Sequence, residues 1–449
     1  MEASDAAAAD KTYPGDIGGA ATRPIYFKLI TVIYVGLFAY FCYATRVLAP
    51  YSDLLDLIDF YFRNGQGADV LGYLLEPHGY YHRIPWLRLQ VAADVSLFGG
   101  KGLAFVLPAA LGLAGVAWLL ARRVAESAGD RLKLPATALT LALVLTSANA
   151  ADVSTPASTS YVQTVVFAVL AMLFATARQD LSRRAAFVAG VAALVCAGGA
   201  AFGNAVGLVV WPALAFCGWR AGRAERTWFL TVVLVGAAFI SLYVSGLTTP
   251  GTTSELSPSS LARTLDYFIA YLGLPWVRAS GVLGRTIGGV LLAAAAVAVF
   301  RSGGPGAPRA ERLGLSLVLF SLGTAALAAI GRSGETAVID IPVRYAMLLA
   351  PLHVGLLLLG LPWLRRWGET RPQAVQAALL AGLTALLVQQ MLVGVVAARA
   401  GARTRDAIAR FERGERTLDM TATIHPDLAR ATAIDAEIRR RSQGRAAVP

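Results

Sequence analysis

The chain has 449 residues, of which 56% are hydrophobic and 15% charged, and its formal net charge is +12. Soluble proteins carry roughly a quarter of their residues as charges. This composition, with a mean hydropathy of +0.58, therefore excludes a water-solvated globule and points to a polytopic membrane protein. The basic balance does not imply nucleic acid, because the arginines fall in short loops between apolar runs, where they report topology.

Residues 1–25 are polar and lack the charged-then-apolar pattern of a cleaved signal peptide, so they are expected to form a disordered cytoplasmic tail. Apolar segments then recur near 26–45, 103–121, 135–150, 160–177, 184–201, 203–218, 227–246, 280–299, 312–330, 343–363 and 374–398. Their lengths predict an all-α fold of about 11 transmembrane helices. Cys42, Cys196 and Cys217 lie inside these runs and read as small buried residues, with no disulfide framework.

Loop charge tests the count. Loops 122–133, 178–184, 219–227, 300–312 and 364–373 are short and Arg-rich, whereas 149–159, 200–204 and 331–344 are poor in Lys and Arg apart from Arg332 and Arg344. The positive-inside rule then places the N-terminus in the cytoplasm. Two large loops, 46–102 and 247–279, face outward, as does a C-terminal helical tail over 400–449. The spans themselves make one transmembrane domain, 26–399. Helices lying in the interface plane are expected in the first and fourth outer loops, from LLDLIDFYF, RIPWLRLQVAADVSLF and LARTLDYFIAYLGLPW. The tail alternates Arg with Asp and Glu and reads as one or two short amphipathic helices with no core of their own.

The first outer loop concentrates the chemistry. Asp53 follows the first span in PYSD, with Ser52 or Asp53 as helix N-cap, and a carboxylate there can serve as a general base or metal ligand. Asp56 shares its helical face, and Asp59 follows three residues on. Downstream stand Glu76, His78, His82 and Arg83. The histidines are four residues apart, a weak metal signal without HExxH or nearby cysteine; His82 with Arg83 better suits an anion. Asp56, Glu76 and His78 remain candidates for acceptor or metal contact, and Asp53 is the ligand if a divalent cation such as Mg or Mn is used. Arg285, Arg332 and the Arg344–Tyr345 pair fall at the same outer level, where they would suit a phosphate or diphosphate head group, with Asp340, Glu335 or lipid phosphate as alternative partners. Mid-span His353 reads as a helix–helix contact, and Asn149 and Asn204 as caps or interhelical hydrogen bonds that could also touch a sugar. No Gly-rich phosphate loop and no G-x-S-x-G is present.

These segments together resemble the GT-C superfamily of polytopic glycosyltransferases, which take sugars from polyprenyl-phosphate donors. The resemblance lies in the span architecture, the early acid of PYSD, and the His82–Arg83 pair in PHGYYHRIPWLRL. It extends to DVSLFGGKG, FGNAVGLVVWP, AIGR and RYAMLLAP. Related bacterial proteins often carry Asn-Glu before that His-Arg pair, where this chain has Tyr80 and Tyr81. The resemblance implies Asp53 as catalytic base or metal-associated acid, and His82, Arg83, Arg332 and Arg344 as holders of the donor phosphate. The expected activity is inverting transfer of a sugar to an envelope glycan or lipid acceptor at the periplasmic face. Two other readings stay open: an O-antigen polymerase or ligase using lipid-diphosphate glycans, and a transporter or lipid flippase.

Overall fold

The protein is an all-α polytopic membrane protein. The computed structural model describes residues 17–78, 82–247, 258–276, 281–334 and 341–446; among these the extended pairing is limited to one isolated bridge between His78 and His82. Most of the N-terminal tail, Tyr80 and Tyr81, the Thr/Ser/Pro-rich start of the second large loop, Glu335 and Asp340 lie outside the described residues.

Nine helices among the described residues are long and apolar enough to cross a membrane: Pro24–Thr45, Leu103–Ala128, Pro156–Asp180, Arg183–Gly203, Arg223–Val244, Val282–Arg301, Arg309–Arg332, Val343–Thr370 and Pro372–Glu412. Each overlaps one of the segments expected from hydropathy. Within them lie α1 (Ile17–Thr45), α5 (Leu103–Ala128), α8 (Thr159–Ala177), α9 (Arg183–Gly203), α11 (Arg226–Val244), α13 (Val282–Arg301), α14 (Arg309–Arg332), α15 (Ala350–Thr370) and α16 (Pro372–Glu412).

The other two expected spans take different forms. Segment 203–218 becomes a shorter apolar helix, Ala205–Arg220, whose second part is α10 (Val210–Arg220). Segment 135–150 becomes a broken pair, α6 (Lys133–Val144) and α7 (Ser147–Ser154), bent by 50°. A break frees backbone groups that hydrocarbon cannot solvate, so side chains must meet them. Asn149 donates to the Val144 carbonyl at 3.1 Å, and the Ser147 amide donates to Gln390 of α16. Asn149 thus bonds the bend. Asn204 caps the next turn by accepting from the Val206 amide, and His353 pairs with the Trp276 indole at 2.8 Å.

Close helix crossings rest on small residues, as packing in lipid requires. Gly314 of α14 and Gly355 of α15 face each other's carbonyls, and a Cβ at either would strike the opposite backbone. The spans enclose a core that includes Leu113, Val169, Phe320, Met347 and Leu383.

A second core lies beyond one end of the spans. The first outer loop folds as α2 (Asp53–Asn64), α3 (Val70–Leu75) and α4 (Pro85–Phe98). The fourth outer loop supplies α12 (Pro258–Gly273). α2 is amphipathic: Leu54, Leu55, Leu57 and Ile58 are buried, while Asp53, Asp56 and Asp59 keep to its more accessible side. What covers the apolar side is the C-terminal tail. α16 has 41 residues, about 60 Å at 1.5 Å per residue, twice the roughly 30 Å of bilayer hydrocarbon, so its end stands clear of the spans. The chain then folds back through α17 (Leu428–Ala446). Ile408, Phe411, Ile424, Ile434 and Ile438 join Leu54, Ile58, Leu87 and Val91 in one apolar cluster. The tail therefore has no core of its own, as expected, and shares one with the loop on the same side of the bundle. Arg430 spans Asp56 and Asp59 at 3.0 and 2.5 Å, and His425 contacts Asp56 at 3.3 Å.

Burial and charge pairing make unequal contributions here. Ile434 is 4% exposed, so Ile434→Asp places a charge in the shared core at a cost of several kcal/mol, whereas the half-exposed Arg430 pairs contribute about 1 kcal/mol or less each. Limited trypsinolysis of the detergent-purified protein is expected to cleave the tail at Arg439–Arg441 much faster in Ile434→Asp, and only slightly faster in Arg430→Gln. Unchanged tail digestion in Ile434→Asp would show that the apolar cluster does not hold it.

Candidate active site

Three buried or capped charges set the shape of the first loop before any chemistry is considered. Asp94, near the end of α4, is 2% exposed and accepts from the Gly102 and Ala104 amides at 2.7 and 3.0 Å, capping the start of α5. The chain turns between these helices through Gly99, whose φ of 65° a side-chain-bearing residue adopts only with strain. Arg88 is 1% exposed, and its guanidinium bonds to backbone carbonyls rather than to a carboxylate. It donates to the carbonyls of Tyr73, Leu74, Glu76 and Pro77 and lies 4.5 Å from the Phe60 ring centroid. Carbonyl dipoles at the end of α3 and an aromatic face thus offset its charge.

Arg83 is held in a similar way. Its guanidinium donates to the carbonyls of Leu75, Tyr243 and Ser245, and its backbone amide donates to the Tyr243 hydroxyl at 3.0 Å. It ties the ends of α3 and α11 together. The side chain expected to bind phosphate is engaged in joining loop to span.

Asp53 stands at the first residue of α2 and is exposed. The residue before it, Ser52, has φ 52°, the one positive φ outside glycine among the described residues. Such a backbone costs on the order of 1–3 kcal/mol and persists only where its surroundings over-determine it. Here the Ser52 amide donates to the Ile424 carbonyl of the tail at 2.5 Å, and the shared apolar core holds α2 on its other side.

Asp53 lies within electrostatic reach of Arg344, Tyr51 and His78. Arg344 and Tyr51 line a cavity of about 300 Å³ at this end of the spans, together with Asp152, Thr155, Ser158 and Thr404. Asp152, on α7, is 3% exposed, its Oδ2 makes no hydrogen bond, and the charge that acts on it is Arg344. The cavity wall is stitched by Thr45 and Ser154 hydroxyls 2.8 Å apart and by the Val47 amide bonding to the Ser154 carbonyl. Tyr345 is buried behind Arg344, its ring 5.5 Å from Tyr161 and 5.9 Å from Tyr271. The site is thus one guanidinium, Arg344, lining a cavity with Asp152, and a second carboxylate, Asp53, that lies in the same field outside the cavity lining. Asp152 did not stand out in the sequence reading; its only signal is an acid within 149–159, a short stretch between two apolar runs.

The remaining candidates fall into two groups. His78 and His82 do not share a helical face: they are paired across an antiparallel bridge, with the His78 amide donating to the His82 carbonyl at 2.7 Å. Burial pulls the His82 imidazole down to about 4, with His78 and Arg332 pushing the same way. Burial, aided by Arg88, also lowers His78 against the pull of Asp53 and Asp56. Both rings are therefore neutral near pH 7, and His82, next to Arg332, can donate to an anion only as a neutral imidazole. The second group is engaged elsewhere. Arg285 forms a bidentate pair with Asp266 of α12 at 2.5 and 2.7 Å, Asp56 is paired with the tail, and Glu76 is exposed at the end of α3.

Among the described residues no three His, Cys, Asp or Glu side chains converge as a metal site. Asp53 and Asp152 both lie in the field of the Arg344 guanidinium, a charge that disfavours a second cation beside them.

The depressed His82 value links pH to stability. Its folded pKa of about 4 lies below the 6.5 of a free imidazole, so on acidification the unfolded chain takes up the proton first. The stabilisation is complete above about pH 6.5 and is lost as pH falls from there through about 4. Thermal unfolding of the purified protein is expected to give a midpoint that drops over this window, with a shallower drop in His82→Gln. An equally steep drop in that variant would show that His82 is not the group being titrated.

In comparisons with known proteins, no family model matches the chain, and neither a curated protein nor a solved structure does.

Proposed function

We propose that the protein is a membrane glycosyltransferase that moves a sugar from a polyprenyl-phosphate donor to a glycan or lipid acceptor, with inversion, at the periplasmic surface of a bacterial inner membrane. The polytopic all-α architecture is consistent with a GT-C-like membrane fold in general. The observation that carries the reading is a cavity lined by Arg344 and Asp152, with Asp53 in the field of the same guanidinium, at the end of the spans where the first loop folds.

In this reading the acceptor hydroxyl enters beside Asp53. Its oxygen attacks the anomeric carbon while Asp53 takes the proton. The bond from the anomeric carbon to the phosphate oxygen breaks, and its electron pair leaves with the polyprenyl phosphate. That phosphate gains negative charge in the transition state, where Arg344 stabilises it more than in the ground state. Arg332 and neutral His82 then receive the phosphate as it departs. Asp152 holds Arg344 in orientation and can accept from a sugar hydroxyl. Arg83, Arg285 and Tyr345 support the walls. The prenyl chain would lie in an apolar recess of about 500 Å³ between α4, α5 and α8, lined by Trp86, Leu89, Pro108 and Phe167.

Transfer from a polyprenyl-phosphate sugar by the purified protein is expected to fall by about 100-fold or more in Asp53→Asn and by a similar factor in Arg344→Gln. Asp53→Asn retaining wild-type kcat would remove Asp53 as the base and favour a lipid-diphosphate polymerase or ligase. Uptake of substrate into vesicles with no glycosidic product would favour a transporter or flippase.

A further inference from the structure

Another large recess lies at the other end of the bundle. α5, α8 and α14 each have one end at the first-loop side, and Arg123, Ala177 and Arg309 mark their opposite ends. There a recess of about 650 Å³ opens between α5, α8 and α9, with Leu119, Leu170, Phe174 and Val188 among its walls. It opens sideways toward lipid: Val188 is 61% and Phe174 37% exposed. Three arginines, Arg123, Arg184 and Arg309, line the same recess.

Its depth selects the kind of occupant. Along α9 the lining runs from Arg184 to Ala192, about 12 Å at 1.5 Å per residue. That is close to one leaflet, half of the roughly 30 Å hydrocarbon core. A partner helix would need a surface running the full thickness. A recess that starts at a ring of arginines and ends near mid-bilayer fits an acyl chain hanging from a charged head group.

The charges are short of acids. Glu126 is shared by Arg122 and Arg123 at 2.9 and 2.6 Å, and Asp180 stands 3.9 Å from Arg312. Arg309 reaches only the Leu173 carbonyl, at 3.5 Å, and its Nε is buried without a hydrogen-bond partner. Arg184 is exposed and has no ion pair among the described residues. Guanidinium groups with unused N–H donors at head-group level are suited to phosphate oxygens.

We infer that this recess binds an anionic phospholipid of the leaflet at the Arg-rich end, with its phosphate among Arg123, Arg184 and Arg309 and one acyl chain along Phe174 and Val188. The site is independent of the proposed transferase centre, which lies at the opposite membrane surface.

Native mass spectrometry of the full-length protein, loaded with phosphatidylglycerol or phosphatidylcholine of identical chains, tests it. Wild type is expected to retain phosphatidylglycerol preferentially. The Arg184→Gln/Arg309→Gln variant should lose that preference by about 25-fold, at about fivefold per arginine. Val188→Trp, which keeps every arginine and changes a lipid-exposed position, should lower retention of both lipids. Equal retention of the two lipids by wild type would overturn the proposal, as would unchanged phosphatidylglycerol retention in either variant. Displacement of phosphatidylglycerol by millimolar inorganic phosphate would overturn the lipid in favour of a free anion.

Discussion

A chain this poor in charge, threaded through hydrocarbon, must meet each polar group it keeps with a dipole, a counter-charge or water. That constraint explains more of the architecture than any single motif. Arg88 and Arg83 are satisfied by carbonyls at helix ends, Arg285 by Asp266, and Asp94 by the first amides of α5. The broken helix at residues 145–146 is tolerated because Asn149 and Gln390 take up the groups it frees. Against this background an interior carboxylate with an unbonded oxygen is conspicuous. Asp152 is held in the protein beside Arg344, and Arg344 is shared with Asp53. Asp152 and Arg344 both line the cavity at this end of the spans.

The C-terminal tail and the first outer loop are two halves of one small domain. Neither buries its apolar face alone: α2 presents Leu54, Leu55 and Ile58, and the tail presents Ile424, Ile434 and Ile438. Packed together they fix the entry to α2, where the Ser52 backbone is strained and bonded to the tail. Asp53 follows directly. The position of the proposed base therefore depends on residues nearly 400 positions away in the chain, and the acids Asp56 and Asp59 serve that docking through Arg430.

The two ends of the bundle differ in how they use arginine. At the first-loop end the guanidiniums are individually built into walls or aimed across a cavity. At the other end several arginines share few acids around an apolar recess. The same residue type is thus built into carbonyl and carboxylate contacts at one end, and gathered around an apolar recess at the other.

Composition and hydropathy by themselves determined the class of protein, the approximate positions of the nine long helices among the described residues, and the presence of helices α2, α4 and α12 between them, because lipid demands long apolar helices that are local in sequence. They also singled out the loop that carries Asp53. They could not reveal the break between α6 and α7, which depends on a glutamine from α16 meeting an amide 243 residues away. Nor could they divide the arginines by partner: Arg83, Arg285 and Arg344 look alike in the chain, yet folding sets the first on carbonyls, the second on Asp266 and the third beside Tyr161 at a cavity. His78 and His82 have helical spacing yet pair across a bridge, since pairing geometry follows from backbone conformation rather than spacing. Asp152 became visible only once folding had buried it beside Arg344. Hydropathy is a property of neighbours along the chain, while charge pairing and cavity lining are properties of neighbours in space, and the candidate site is built from the second kind.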